Sequence, residues 1–157
     1  MTRKRVVVAD DISSVLLEVA ALLKKSCEVV GLASDGRAAL ELTLRNNPDV
    51  VVLDITMPEM SGIEVARELR KRGSKTAIVF LTVHEDEEIL KACQDAGGLG
   101  YVVKMFMETD LPLAIREALA GRIFTSAFPS QKDSREIEIG GENEQRGLTK
   151  LTVPRKQ

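Results

Sequence analysis

Five short, valine-rich runs constrain the fold of this chain more than any other feature of its sequence. They cover residues 5–9, 28–33, 50–53, 77–81 and 100–103. Their side chains are apolar at successive positions instead of alternate ones, which is typical of strands that helices cover on both faces. The runs therefore predict a buried sheet.

Stretches of helical period separate these runs. In the first stretch, apolar residues recur at spacings of three and four between Ile12 and Leu23, which makes one helix face. Similar patterns predict helices over about 36–46, 62–72, 85–96 and 110–121. Strands that alternate with helices predict an α/β protein with a doubly wound parallel sheet and right-handed crossovers.

The last predicted helix contains Pro112, a residue that normally breaks helices. If Thr109 is the N-cap, the proline lies in the first turn, where no helical hydrogen bond needs its missing N–H. The sequence therefore predicts that this helix begins directly after Thr109.

Charge and cysteine content exclude several classes of protein. The 157 residues contain 22 Lys and Arg and 24 Asp and Glu, a net charge of −2 that does not suit a basic nucleic-acid binder. Cys27, Cys93 and the single His84 make neither a disulfide framework nor a Cys/His zinc site. No apolar run is long enough to cross a membrane, so we expect a protein of the reducing cytoplasm.

The composition changes near residue 129. Residues 129–157 hold only five apolar side chains and no aromatic one. Such a segment cannot bury enough apolar surface to offset the entropy of ordering it. We therefore expect one folded domain over residues 1–128, followed by a flexible linker or tail over 129–157.

Polar side chains follow four of the buried runs. Asp10 and Asp11 follow the first, Asp54 the third, Thr82 the fourth and Lys104 the fifth. The carboxyl ends of parallel strands share one sheet edge, and ligands bind there where the strand order reverses. With the strand order 2-1-3-4-5, the three aspartates would meet. Their mutual repulsion calls for a cation, and the all-oxygen ligand set favours Mg²⁺.

Such a site suits phosphoryl chemistry. A carboxylate beside Mg²⁺ can attack phosphorus and form an acyl phosphate, while Thr82 donates a hydrogen bond to the phosphoryl group and Lys104 pairs with it. The sequence contains neither a G-x-x-x-x-G-K-[ST] loop nor a dinucleotide fingerprint. The site is therefore expected to take a small phosphoryl group and no nucleotide.

A set of motifs in a fixed order resembles a known family. The motifs are Asp10-Asp11, residues 53–62, Leu81-Thr82, and Gly100–Val103 followed by Lys104. Together they are similar to the receiver domain of two-component response regulators, over roughly residues 4–125. The resemblance implies a flavodoxin-like (βα)5 fold with strand order 2-1-3-4-5. It also implies a phosphoprotein that takes its phosphoryl group from a sensor histidine kinase.

The resemblance assigns roles at the metal site. It implies that Asp11 and Asp54 bind Mg²⁺ directly together with the backbone carbonyl of Thr56. Asp10 would hold water that is bound to the metal.

The resemblance also assigns the reaction and the switch. It implies that Asp54 accepts the phosphoryl group and that Lys104 contacts it. Thr82 would follow the group inward while Tyr101 turns from outside to inside, which would reshape the surface of the fourth helix, fifth strand and fifth helix. The protein would then be a signalling switch with only self-phosphorylation and slow self-dephosphorylation as activity.

Two positions depart from that family's pattern. Met105 follows Lys104 in place of a proline in a cis peptide. A cis bond without proline costs ~3 kcal/mol, so we expect a different loop and a less firmly aimed Lys104. Val83 follows Thr82 in place of alanine or glycine. We expect its branched side chain to crowd the phosphoryl pocket and slow phosphorylation, dephosphorylation or both.

The output is suggested by the C-terminal sequence. Residues 118–126 resemble receivers of the NarL/FixJ (LuxR-type) subfamily, which continue into a helix-turn-helix domain, and residues 148–156 resemble the approach to such a domain. We expect a receiver cut from a transcription factor, with DNA bound only through an output domain absent here; a stand-alone receiver is the alternative. The sequence leaves open whether the chain forms a homodimer.

A phosphatase and a pseudo-receiver are the two alternative functions. A haloacid-dehalogenase-type phosphatase would need an aspartate two positions after Asp54, but Thr56 stands there and supplies no proton. A pseudo-receiver would keep the fold as a protein-interaction module without phosphorylation. The complete acidic set argues against it, whereas Met105 and Val83 argue mildly for it.

Overall fold

The computed structural model describes residues 3–126. Its six strands are β1 Lys4–Ala9, β2 Cys27–Ala33, β3 Val50–Asp54, β4 Ala77–Thr82, β5 Gly100–Val103 and β6 Phe124–Thr125. Its five helices are α1 Ser13–Leu23, α2 Gly36–Asn46, α3 Gly62–Lys71, α4 Glu87–Asp95 and α5 Met107–Leu119. A 3-10 turn over Lys104–Phe106 joins β5 to α5.

The strands form one sheet in the order β2-β1-β3-β4-β5-β6, and every neighbouring pair is parallel. This confirms the predicted order 2-1-3-4-5 and adds a sixth strand beside β5. In register, Ala9 of β1 lies opposite Leu53 of β3, and Thr82 of β4 lies opposite Val103 of β5. The residues that end these strands therefore lie along one edge of the sheet.

Helices cover both faces of the sheet. One face contributes its valines and leucines to a single core with α1 and α5, through Leu16, Val19, Leu111 and Ile115. Alternate strand residues point to the opposite face and are also buried, including Phe80 and Tyr101. This double burial explains why the strands read as continuous apolar runs.

Helix boundaries lie within two residues of the predicted ones, except that α5 begins three residues early. Helix α5 begins at Met107, not after Thr109, because the turn after β5 leads directly into it. Thr109 is therefore not the N-cap; its hydroxyl donates to the carbonyl of Phe106 at 3.2 Å. Pro112 lies inside the helix instead of in its first turn. Helix α4 begins at Glu87 because Asp86 is its N-cap.

Strand β6 was not predicted. It is two residues long and is held by backbone bonds from Phe124 N to Leu99 O and from Ser126 N to Tyr101 O, each 2.9 Å. Within residues 3–126, no helix has the length and apolar character needed to cross a bilayer. The predicted tail over 129–157 lies outside the described residues.

Candidate phosphoryl-acceptor site

Three aspartates meet at the carboxyl edge of the sheet, where strands β1 and β3 adjoin. Asp10 and Asp11 follow β1, and Asp54 is the last residue of β3. Each offers a carboxylate oxygen, and these oxygens lie within 4.8 Å of one another. Asp10 and Asp54 are buried, whereas Asp11 is exposed. The structure thus brings together the three carboxylates that the sequence placed at one site.

Lys104 extends into this cluster from the end of β5. Its Nζ lies 2.8 Å from Asp10 Oδ2 and 3.6 Å from Asp54 Oδ1. Its side chain is only 13% exposed, so the ion pairs lie where water screens charge weakly. A single ammonium therefore faces two buried carboxylates.

One ammonium does not compensate all of this negative charge. Burial raises the pKa of Asp54 from 3.8 to about 6, and the neighbouring carboxylates of Asp10 and Asp11 add to the rise. The Lys104 ammonium and the backbone N–H of Ile55 lower the pKa and offset part of that effect. The site thus keeps an excess of negative charge that an added cation would relieve.

The oxygen atoms present fit a divalent cation. Asp10 Oδ1 accepts a hydrogen bond from Ile12 N at 2.9 Å, which fixes the carboxylate. The buried Oδ2 has the Lys104 ammonium as an ionic neighbour but no hydrogen-bond donor among residues 3–126, because the contact lacks hydrogen-bond geometry. A buried carboxylate oxygen without a hydrogen-bond donor, in an all-oxygen cluster, suits a hard cation such as Mg²⁺ or the water bound to it. Asp10, Asp11 and Asp54 therefore form a candidate metal site.

The loop that follows Asp54 packs tightly against its surroundings. Gly62 N donates to Ile55 O at 2.7 Å, and Gly36 N donates to Pro58 O at 3.1 Å. A Cβ at Gly62 would overlap the carbonyl oxygen of Asp54, so the close approach of α3 to β3 requires glycine. The predicted ligand Thr56 lies in this loop and is exposed.

Thr82, Tyr101 and Thr56 are linked through His84. The buried Thr82 Oγ1 accepts from His84 N at 3.0 Å, and Tyr101 Oη donates to the carbonyl of His84 at 3.1 Å. The Nε2 atom of the same histidine lies 3.4 Å from Thr56 Oγ1. The Tyr101 ring is already buried, which is the inward position that the resemblance gives to the phosphorylated form.

The role of His84 as a link was not predicted. In the sequence His84 stands out only as the single histidine, and its spacing of two residues from Thr82 is the only signal of a place near the site. Two of its three contacts use backbone atoms. Side-chain identity carries no information about backbone contacts, so the sequence could not show them.

The two departures from the family pattern lie at the surface. The described residues contain no cis peptide, and Met105 is 70% exposed in the turn after Lys104. Lys104 nevertheless lies close to both carboxylates, and the expectation that it is less firmly aimed stays a prediction. Val83 is 69% exposed and lies beside the buried Thr82. Its effect on phosphoryl turnover stays a prediction.

Comparison with known families identifies one match over most of the chain. The response regulator receiver domain family matches residues 6–116. The transcriptional regulatory protein PdtaR of Mycobacterium tuberculosis is 35% identical over 118 residues, which cover 74% of this chain and 57% of PdtaR. The transcriptional regulatory protein LiaR of Bacillus subtilis is 31% identical over 141 residues, covering 88% and 67%. The chain thus spans little more than half of PdtaR.

Solved structures give the same result. The signal receiver domain of the putative response regulator NarL from Mycobacterium tuberculosis superposes with a TM-score of 0.75 and 34% identity, covering 78% of this chain and all of that one (100%). A LuxR-family two-component response regulator from Aurantimonas sp. has a TM-score of 0.76 and 29% identity, covering 88% of this chain and 99% of its own.

Proposed function

Because the chain belongs to the response regulator receiver domain family, we propose that Asp54 accepts a phosphoryl group from a sensor histidine kinase. The observation that carries this proposal is the position of Asp54: buried, clustered with two further carboxylates, and 3.6 Å from the Lys104 ammonium. A structural aspartate at a strand end would need none of these neighbours. In a phosphoryl acceptor, these neighbours hold a cation and stabilise the charge on the phosphoryl oxygens.

The reaction follows from the ionised form of Asp54. With a pKa of about 6, the carboxyl is mostly ionised at neutral pH and can act as a nucleophile. Its oxygen attacks the phosphorus of the kinase phosphohistidine; the P–O bond forms as the P–N bond breaks, and the bonding electrons leave with the imidazole. Hydrolysis returns the protein to its unphosphorylated form: water attacks the phosphorus, the P–O bond to Asp54 breaks, and inorganic phosphate leaves.

Lys104 and Thr82 stabilise the transferred group in this scheme. The Lys104 ammonium already lies at the acceptor through its ion pairs with Asp10 and Asp54, so it is in position to pair with a phosphoryl oxygen on Asp54. The Thr82 hydroxyl lies in the same edge of the sheet and can donate to a second phosphoryl oxygen. Lys104 thus supplies a positive charge, and Thr82 a hydrogen-bond donor, for the negatively charged phosphoryl oxygens.

Mg²⁺ is the proposed cofactor. Asp11, Asp54 and the backbone carbonyl of Thr56 would hold it, with Asp10 binding through water. Bound there, the ion would neutralise carboxylate charge and the charge that develops on the phosphoryl oxygens. The residue set supports this assignment because it contains only oxygen ligands.

We propose that Thr82 and Tyr101 transmit the effect of Asp54 phosphorylation to the protein surface. Both contact the backbone of His84, so a displacement of Thr82 toward a phosphoryl oxygen would strain or break the bond from His84 N. Tyr101 would respond through the carbonyl of the same residue. The surface formed by α4, β5 and α5 would change as a consequence, which is a two-state element biased by one modification.

The proposed output is transcriptional control. The relatives PdtaR and LiaR are named transcriptional regulators, and a LuxR-family regulator is among the similar structures. We infer that this receiver belongs to the NarL/FixJ subfamily, acts in the cytoplasm, and controls DNA binding through a separate output domain. Residues 1–128 would be the switching domain and 129–157 a linker, with homodimerisation as one means of control.

Phosphorylation of the purified chain tests this function. Incubation with acetyl phosphate and Mg²⁺ should add the mass of one phosphoryl group in intact-mass spectrometry. The adduct should be lost in Asp54→Asn and with EDTA, but retained in the control Asp95→Asn, whose carboxylate is 65% exposed at the end of α4. No adduct in the wild type would favour a pseudo-receiver, whereas hydrolysis of ordinary phosphomonoesters would favour a phosphatase.

A further inference from the structure

We propose that a clamp, formed by the hydrogen bonds of Ser126 to Val103 and Asp110, positions Lys104 for phosphoryl transfer. This inference rests on the proposed function of Asp54 and assigns a role to residues outside the acidic cluster. Ser126 directly follows the unpredicted strand β6, and Asp110 lies in the first turn of α5.

Ser126 makes three hydrogen bonds at the edge of the sheet. Its backbone N–H donates to Tyr101 O at 2.9 Å, and its Oγ accepts from Val103 N at 3.1 Å. The same Oγ donates to Asp110 Oδ2 at 2.6 Å. Ser126 is only 1% exposed, so water does not compete for these bonds. The bond to the carboxylate is charge-assisted and short, as expected of a strong one.

These bonds hold the chain segments that precede and follow Lys104. Val103 is the residue before Lys104, and Asp110 belongs to the helix that follows it. One hydroxyl therefore connects the end of β5 to the start of α5 across the turn that carries the lysine. The clamp is the hydrogen-bonded set of Val103, Ser126 and Asp110.

The turn needs such a support. Met105 is 70% exposed, so its side chain does little to pack the turn against the core. The Lys104 side chain is otherwise held by ion pairs to Asp10 and Asp54. Phosphorylation changes the charge on Asp54 and therefore alters one of these ion pairs. A backbone held by hydrogen bonds keeps its position when the charge changes. Positioning of this kind matters because small displacements of a charged group reduce reaction rates strongly.

The rate of Asp54 phosphorylation by acetyl phosphate tests the clamp. In that reaction the P–O bond to Asp54 forms as the P–O bond to acetate breaks. We expect Ser126→Ala to slow phosphorylation ~5-fold, because a displaced ammonium stabilises the transferred group less. Thr76→Val is the matched control: it removes another buried hydroxyl, which donates to Pro48 O at 2.8 Å at the opposite edge of the sheet. It should change the rate less than twofold.

A double-mutant cycle separates positioning from general loss of stability. If Ser126 acts through Lys104, Ser126→Ala should have little further effect in a Lys104→Ala background, because interacting residues are non-additive. Ser126→Thr keeps the hydroxyl and should retain most of the wild-type rate. Asp110→Ala provides a second variant if Ser126→Ala does not fold, and it should also slow phosphorylation.

A readout without any phosphodonor keeps the two proposals distinguishable. In ¹⁵N-edited NMR of the metal-free protein, the buried Lys104 ammonium should give a slowly exchanging signal that Thr76→Val retains and Ser126→Ala broadens. Equal rates and equal ammonium signals in wild type and Ser126→Ala would overturn the clamp. The same slowing with and without Lys104 would also overturn it. Failure of the wild type to be phosphorylated would instead contradict the proposed function.

Discussion

The charge on Asp54 destabilises the folded protein in the absence of a cation. Burial and the carboxylate of Asp10 outweigh the attraction of Lys104, which is why the pKa rises to about 6. An acid whose pKa is higher in the folded than in the unfolded state binds its proton more tightly when folded. Its contribution to stability is therefore lost as the pH rises through the folded pKa.

Asp54→Asn should consequently stabilise the metal-free protein at high pH. The neutral side chain removes the cost of the buried charge, while protonation already removes that cost in the wild type at low pH. We expect the gain in free energy of unfolding to increase by about 1 kcal/mol between pH 5 and pH 8, a value reduced for solvent screening. Urea unfolding with EDTA measures it. A gain independent of pH would contradict the pKa assignment.

Val83 is the residue expected to set how long the acyl phosphate lasts. Its branched side chain follows Thr82 and is 69% exposed, so it lies at the surface beside the phosphoryl site. We expect Val83→Ala to speed loss of the phosphoryl group by ~3-fold, which corresponds to a barrier lower by about 0.7 kcal/mol, because water gains access to the phosphorus.

The decay of phosphorylated protein after removal of the phosphodonor measures this effect. Ile123→Ala is the matched control, since Ile123 is also an exposed β-branched residue (62%) but precedes β6 at the other end of the sheet. Equal decay rates in Val83→Ala and wild type would show that Val83 does not control the loss of the phosphoryl group.

At the scale of elements, the loop between β3 and α3 depends on the absence of a side chain at Gly62. Its N–H bonds to Ile55 O, and a Cβ would overlap the carbonyl oxygen of Asp54. Helix α3 begins there with a capping box, in which Ser61 Oγ accepts from Glu64 N and Glu64 Oε1 accepts from Ser61 N. The end of β3 is thus held in position by the start of the next helix.

Gly62→Ala should therefore disturb both stability and the site. We expect a loss of about 2 kcal/mol in the free energy of unfolding, as is typical of overpacking, together with slower phosphorylation of Asp54. Gly31→Ala is the control, because a Cβ there would meet Leu42 at an ordinary 3.4 Å. Urea unfolding and the acetyl phosphate assay measure the two effects. A Gly62→Ala protein as stable and as active as Gly31→Ala would contradict the packing described here.

Elements that depend on local pattern were predictable, and those that depend on tertiary contacts were not. The five buried strands and the spans of α2 and α3 follow from apolar periodicity. Strand β6 does not, because two residues carry no pattern and their order comes from the carbonyls of Leu99 and Tyr101. The early start of α5 depends on the turn after Lys104 in the same way.

At the scale of the whole molecule, the site was predictable because topology creates it. Once strand order is fixed, Asp10, Asp11, Asp54, Thr82 and Lys104 must lie along one edge. The sequence could not show which atoms touch. The contact of Tyr101 with His84 and the clamp at Ser126 involve backbone atoms from segments distant in sequence, and the local bond from His84 to Thr82 also uses a backbone atom.

Identification of the phosphorylated residue is the decisive test of Asp54 as the phosphoryl acceptor. Acyl phosphates are reduced by borohydride, so treatment of the phosphorylated chain converts the acceptor aspartate into a homoserine that tandem mass spectrometry can locate. We expect a single reduced site, at position 54, that requires Mg²⁺ during phosphorylation. A reduced site at Asp10 or Asp11, or a phosphorylated chain with no reduced aspartate, would contradict it.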